Sequence, residues 1–232
     1  MPAYNYSFYK PVGFCLGYFI TFEGIEGCGK TTQIRLLARQ LQTLGHALVQ
    51  TREPGGCPIA DKIRAILLDA DNHAMQPLAE LFLYAAARAQ HVAEVVLPAL
   101  KAGKTVLCDR FTDATIAYQS AGRGIELDTI RTLNCLACQA RTPDLTILID
   151  CDAATGLGRA KRRIEATNGP REERFEMESL AFHQRVRDSY LLLARQDPDR
   201  FLVVDGADTI ENIARTISMA VLQRLENTHA VQ

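Results

Sequence analysis

Apolar positions along this chain fall into two kinds of run. Tyr18–Phe22, His46–Thr51, Thr105–Asp109, Leu145–Asp150 and Phe201–Asp205 are short stretches of β-branched, aromatic and aliphatic residues, suited in length and content to buried strands. Between them the apolar residues space out at helical intervals. Thr32–Leu44 puts Ile34, Leu37, Ala38, Leu41 and Leu44 on one face, and Gly45 ends it. Ile59–Leu68, Leu78–Leu100, Leu127–Gln139, Thr155–Glu165, Glu178–Gln196 and a segment from about Ile210 read as further helices. Strands alternating with helices predict an α/β fold: a parallel five-stranded sheet covered by helices on both faces.

With 232 residues, 47% of them apolar, a single domain over 18–232 is large enough to bury roughly 70% of its unfolded surface. Residues 1–17, with Pro2, Pro11, Gly13 and Gly17 and no clear period, read as an arm ahead of it. A formal net charge of −1 gives no global pull toward nucleic acid or an anionic membrane. No run approaches the roughly eighteen apolar residues of a membrane span, so the expectation is a cytoplasmic protein without a membrane partner. Seven irregularly spaced cysteines read as small buried hydrophobes in a reducing compartment. Cys135-Leu-Ala-Cys138 has the spacing of half a zinc site or a redox pair. Its helical context, with no second such pair, favours core packing.

One stretch carries chemistry by its spacing. Gly24-Ile-Glu-Gly-Cys-Gly-Lys-Thr31 fits the phosphate-loop pattern G-x-x-x-x-G-K-[ST], between a strand and a helix as that pattern requires. Backbone amides of Gly24, Ile25, Glu26, Gly27, Cys28 and Gly29, continuing into Lys30, Thr31 and Thr32 at the helix amino end, then cradle the phosphates of a nucleoside triphosphate. Lys30 reaches the β and γ phosphates, and the Thr31 hydroxyl ligates magnesium. Cys28 lies where a helix amino end stabilises a thiolate, although an inert filler reads equally well.

In such folds ligands gather beyond the carboxyl ends of the strands, which singles out Glu23–Thr31, Arg52–Gly56, Asp109–Arg110 and Asp150–Asp152. Asp109 can hold magnesium directly or through water, and Arg110 can clamp a second, phosphate-bearing substrate. A plain ion pair capping the strand is the alternative. No water-activating glutamate follows the strand-terminal acid and no N-K-x-D guanine motif occurs, so transfer is favoured over hydrolysis. Residues 161–176, rich in arginine and interrupted by Asn168-Gly-Pro170, read either as a solvated connector or as a closing lid.

Six ordered elements give a resemblance that covers roughly 18–226. FEGIEGCGKTTQ (22–33), TREPGG (51–56), YAAARAQ (84–90), DRFTDATIAYQ (109–119) with GRG (122–124), PDLTILID (143–150), and ERFE (173–176) with FHQRVRDSYLLLA (182–194) closely resemble the thymidylate kinases, in their bacterial form. The resemblance implies a P-loop nucleoside monophosphate kinase fold with a short arginine-rich lid. It also implies transfer of the γ-phosphoryl of ATP to dTMP with Mg2+ in dTTP biosynthesis, and a homodimer. It assigns Glu26 to the acceptor sugar 3′-hydroxyl, Arg52 and Arg110 to the acceptor phosphate, Tyr84 to stacking on the base and Arg88 to a thymine carbonyl. Thr115, Tyr118 and Gln119 fall at positions lining the base and sugar pocket. Where relatives carry a loop arginine this chain has Gly27, which implies that the phosphoryl-clamping charge comes from the lid: Arg163 or Arg174, with Arg159 behind them. The readings set against this are a deoxynucleoside or other nucleoside monophosphate kinase of the same fold, and a non-catalytic nucleotide switch. Two arginines placed for an already phosphorylated acceptor weigh against the first, and intact loop and clamp positions against the second.

Overall fold

A computed structural model describes residues 17–166 and 174–230. The arm expected at 1–17 lies outside the described residues except for Gly17, as does the middle of the expected lid, 167–173. In chain order the elements are β1 (Phe19–Glu23), α1 (Lys30–Thr43), β2 (Leu48–Arg52), α2 (Pro58–Leu68), α3 (Pro77–His91), α4 (Leu97–Lys101), β3 (Thr105–Asp109), α5 (Thr112–Thr115), α6 (Leu127–Ala137), β4 (Leu145–Asp150), α7 (Ala153–Glu165), α8 (Leu180–Gln196), β5 (Phe201–Asp205) and α9 (Ile210–Ala230). Five parallel strands form one sheet in the order β2-β3-β1-β4-β5. β1 and β4, flanked on both sides, are apolar along most of their length because helices cover both faces. Phe19, Ile20, Phe22, Leu145, Ile147 and Ile149, with Leu107 of β3, are fully buried, and each such side chain contributes roughly 1.5–3 kcal/mol of transfer free energy.

Polar residues inside the sheet are paired rather than stranded. The Thr21 and Thr146 hydroxyls meet across β1 and β4 at 2.9 Å, Thr146 donates to Asp113, and Arg200 at the start of β5 forks onto Asp113. Asp113 is thereby tied into the fold beneath the site.

Two helical segments depart from the pattern read in the sequence. The long helix expected over Leu78–Leu100 is present, but α3 passes through a π-helical stretch, Val92–Val96, before α4. Pro98 is the cause: it has no N–H to offer Glu94, and its ring crowds that carbonyl. The turn widens, and the Leu97 N–H donates to the Val92 carbonyl. The second segment, α5 continuing into π-helical Ile116–Gly122, has no apolar period to reveal it. Its buried positions include Asp113, Thr115, Tyr118 and Gln119, whose partners are polar groups of other elements.

Candidate active site

β1, β2 and β3 end along one edge of a cavity of about 1090 Å³. Pockets for a single drug-sized ligand run about 300–1,000 Å³, so this one has room for two sizeable molecules. Glu26, Gly27, Gly29, Lys30, Thr31, Thr32, Arg52, Tyr84, Arg88, Asp109, Arg110, Thr115, Tyr118, Gln119 and Arg163 line it. Gly24, Ile25, Cys28 and Arg174 do not.

At one end lies the phosphate loop. Lys30 Nζ donates to the Gly24 and Ile25 carbonyls, each at 2.9 Å, and reaches Cys28 Sγ at 3.5 Å. Cys28 itself is buried. Thr31 Oγ1 donates to Asp109 Oδ2 at 3.3 Å, so the two expected magnesium ligands, from α1 and β3, converge. Two hard oxygen donors fit Mg2+, which takes its remaining ligands from phosphates and water. Among the described residues no cluster of three or more His, Cys, Asp or Glu stands ready to hold a metal by itself.

The loop packs hard against α7. Gly27 has φ +69°, and a Cβ placed there would come within 2.1 Å of the Gly156 carbonyl; a Cβ on Gly156 would come within 2.6 Å of the Glu26 carbonyl. Neither position accepts a side chain without moving a backbone. An arginine at 27 is therefore excluded by the seat of α7, the helix that leads into residues 161–176.

At the other end, buried side chains hold one another. Glu26 Oε1 accepts from Tyr118 Oη at 2.6 Å and from Arg110 Nη2 at 2.9 Å. The Arg110 guanidinium lies 4.9 Å over the Tyr118 ring, and its other terminal nitrogen donates to Tyr190 Oη at 3.1 Å. Tyr190 in turn donates to Glu23 Oε2 at 2.7 Å, while Glu23 Oε1 accepts from the Phe111 N–H. Burial pushes the Glu23 carboxyl up to about 8, with Asp113 adding repulsion and Arg110 opposing it. Burial acts the same way on Glu26, but Arg110, His183, Lys30 and Tyr118 together outweigh it and hold that carboxyl well below the usual range. Two glutamates three positions apart, one ending β1 and one in the loop after it, thus sit on opposite sides of neutral pH.

A second hub is Arg88, 2% exposed. Nε donates to Glu53 Oε2 at 2.7 Å, Nη1 to Thr115 Oγ1 and Asn134 Oδ1, and Nη2 to the Phe111 carbonyl. Those bonds use four of its five N–H donors and leave one. Glu53 is also held by His91 Nδ1 at 2.9 Å. Tyr84 lies one helical turn before Arg88, with its ring centroid 6.4 Å from that of Phe175. Gln119 Nε2 donates to the buried Glu80.

The arginines at the rim divide into two sorts. Arg52 is half exposed and bonded to Asp61, and Arg163 faces the cavity 3.6 Å from Glu176. Arg159, which also lines the cavity, donates to the Gly206 carbonyl. Arg174, expected beside Arg163 as a phosphoryl clamp, does not line the cavity but lies behind Phe175, which does: it is 7% exposed, donates to the Leu67 carbonyl, pairs with Glu80 at 2.7 Å and stacks on Phe175. Burial against a buried acid makes it a tie between this segment, α2 and α3.

Glu23, Glu53, Glu80, His183 and Tyr190 complete these networks, and no individual role was assigned to any of them from the sequence. All but Glu80 lie inside FEGIEGCGKTTQ, TREPGG or FHQRVRDSYLLLA, but a buried group's partner cannot be read along one chain segment.

A strand–glycine loop–helix phosphate cradle beside an arginine-and-carboxylate pocket, in a β2-β3-β1-β4-β5 sheet, is the arrangement of a P-loop kinase. A family profile described as thymidylate kinase matches residues 22–217. The chain is 64% identical over 218 residues to the thymidylate kinase of Pelobacter propionicus, covering 93% of this chain and all of that one. It is 60% identical over 210 residues to that of Geobacter sulfurreducens, covering 90% and 99%. The crystal structure of thymidylate kinase from Ehrlichia chaffeensis superposes with a TM-score of 0.71 at 33% identity, over 88% of this chain and 98% of that one. The chain belongs to the thymidylate kinase family.

Proposed function

We propose a division of labour among these residues for a chain whose reaction, as a thymidylate kinase, is the phosphorylation of dTMP to dTDP. ATP is the donor, its triphosphate wrapped by the loop amides of 24–32. Lys30 leaves its loop carbonyls to follow the β and γ phosphates. Thr31 and Asp109 would hold Mg2+, which when bound would supply positive charge against the phosphate oxygens. Arg110 holds the acceptor phosphate, fixed in direction by Glu26 and Tyr190, with Arg52 as the outer ligand. Arg88 presents its remaining N–H to a thymine carbonyl, Tyr84 covers the base, and Thr115 and Gln119 close that pocket. Glu26 and Tyr118 face the deoxyribose. Arg163 brings positive charge to the transferring phosphoryl, with Arg159 on the donor side; Arg174 anchors the segment that carries them.

The observation that carries this reading is the acceptor end, where the buried Arg88 and the partly buried Arg110 are each pre-oriented by a carboxylate from another element. ADP release measured with dTMP, dUMP, dCMP, AMP and GMP as acceptors tests it. A preference for dTMP is expected, and a preference for AMP or dCMP overturns it.

A homodimer is supported by apolar residues left about half exposed on neighbouring helices: Ile59 and Ile66 of α2, Leu78 and Phe82 of α3, and Leu136 of α6. Light scattering should give twice the monomer mass, falling to the monomer on Phe82→Glu. Six described cysteines are free thiols, which supports a reducing, cytoplasmic setting. No helix among the described residues is long and apolar enough to cross a membrane.

A further inference from the structure

Glu26 has one satisfied oxygen and one that is not. Oε1 takes both Arg110 and Tyr118, while Oε2 is out of reach of solvent and has no hydrogen-bond partner among the described residues. The polar atom beside it is Nδ1 of His183, at 3.2 Å, close enough for a hydrogen bond but not aligned for one. His183 belongs to the first turn of α8, is fully buried, packs edge-on to Phe182 with ring centroids 5.6 Å apart, and neither ring nitrogen has a hydrogen-bond partner among the described residues. A buried carboxylate oxygen and a buried imidazole nitrogen that face each other at 3.2 Å without an aligned hydrogen bond cost the fold free energy until that bond forms. A small rotation of either side chain makes the bond.

We propose that His183 is the positioning residue of the acceptor site: its Nδ1–H holds Glu26 Oε2, so that the carboxylate is locked in the orientation that receives the 3′-hydroxyl of the acceptor sugar. With the proton on Nδ1 the imidazole is neutral, and the unpartnered Nε2 is a bare lone pair rather than a stranded N–H. Arg110 and Tyr118 fix one oxygen of Glu26 and His183 fixes the other; with only the first pair, the carboxylate pivots about the Oε1 contact. α8 thereby contributes to acceptor selectivity from behind the site. The proposal rests on the reading that Glu26 faces the sugar.

The test measures kcat/KM for dTMP and for its 3′-deoxy analogue in the wild type, Glu26→Gln, His183→Leu and His183→Asn, with KM for ATP and thermal unfolding followed in each. In the wild type the analogue should be the poorer acceptor, and Glu26→Gln should erase that difference. His183→Leu should lose about tenfold with dTMP, the scale of one hydrogen bond to a charged group, and less than about twofold with the analogue, with KM for ATP unchanged. His183→Asn, which restores an N–H near the Nδ1 position, should recover most of the loss. Equal losses with both acceptors in His183→Leu, or no recovery in His183→Asn, overturn the role of His183 while leaving Glu26 in place. If Glu26→Gln keeps the wild-type discrimination, the sugar-facing reading of Glu26 fails and this role of His183 with it.

Discussion

The two ends of the cavity are made of different materials. The phosphate loop is one contiguous stretch of ten residues or so whose working groups are backbone amides, one lysine and one hydroxyl, and glycines are what let it curl and sit against α7. The acceptor end is made of side chains drawn from β1, α3, the segment after β3 and α8, each aimed by a buried partner: Arg110 by Glu26 and Tyr190, Arg88 by Glu53 and Thr115. A triphosphate presents the same oxygens whatever its base, and main-chain amides suffice for it. Choosing one nucleoside monophosphate requires directional groups that cannot swing, which explains why so many charges are buried there at the expense of desolvation.

The largest effect that would break this contrast is at the donor end. Lys30→Ala should lower kcat by about a thousandfold or more with the fold intact, because charge developing on the transferring phosphoryl loses its nearest cation. Normal turnover by that protein would show that the loop does not hold the donor.

At the acceptor end the same kind of deletion should strike binding and stability instead. Arg110→Ala should reduce kcat/KM for dTMP by about a hundredfold with KM for ATP little changed. Arg88→Ala should in addition destabilise the fold by about 3–5 kcal/mol, since it leaves Glu53 buried with only His91 opposite. Denaturant unfolding separates the two. A normal midpoint for Arg88→Ala would mean that the buried pair is not an anchor.

Arg163 and Arg174 sharpen the comparison within one segment. Arg163→Ala should lose about a hundredfold or more in kcat at an unchanged unfolding midpoint. Arg174→Ala should lose about 2 kcal/mol of stability, because Glu80 keeps Arg123 and Gln119 as partners, with a smaller effect on kcat. The reverse outcome would exchange their roles.

The smallest effect is a pH dependence. The Glu23 carboxyl is raised by burial to about 8, so the folded protein holds a proton there that the unfolded chain releases near the ordinary carboxylate value. Its stabilising contribution is complete below that ordinary value and is lost as pH rises through about 8. Glu23→Gln should therefore flatten the decline in stability between about pH 4.5 and 8. Parallel curves for the two proteins would remove Glu23 from the account.

Much of this was open to reading along the chain. The strand and helix order, and the donor loop with Lys30, Thr31 and the strand-terminal Asp109, follow from period and spacing, since each element or motif is local. The acceptor residues were nameable only by resemblance: Tyr84 and Arg88 alone look like an aromatic and a solvated arginine on an amphipathic helix. Arg88 is instead almost wholly buried, and nothing in its neighbours announces Glu53. The helix bearing Thr115, Tyr118 and Gln119 hid for the same reason, because its inward positions meet polar partners.

By itself the sequence determined a parallel α/β fold, a triphosphate loop and, through Gly27, that no arginine stands in that loop. Tertiary structure decided why none sits there comfortably, by seating Gly156 of α7 against the loop, and that, among the described residues of 161–176, Arg163 lines the cavity and Arg174 does not. It also set Glu26 between Arg110 and His183, residues 84 and 157 positions away. Local chemistry is written in spacing along the chain, whereas the direction of a buried charge is fixed by partners that only folding brings within 3 Å or so of it.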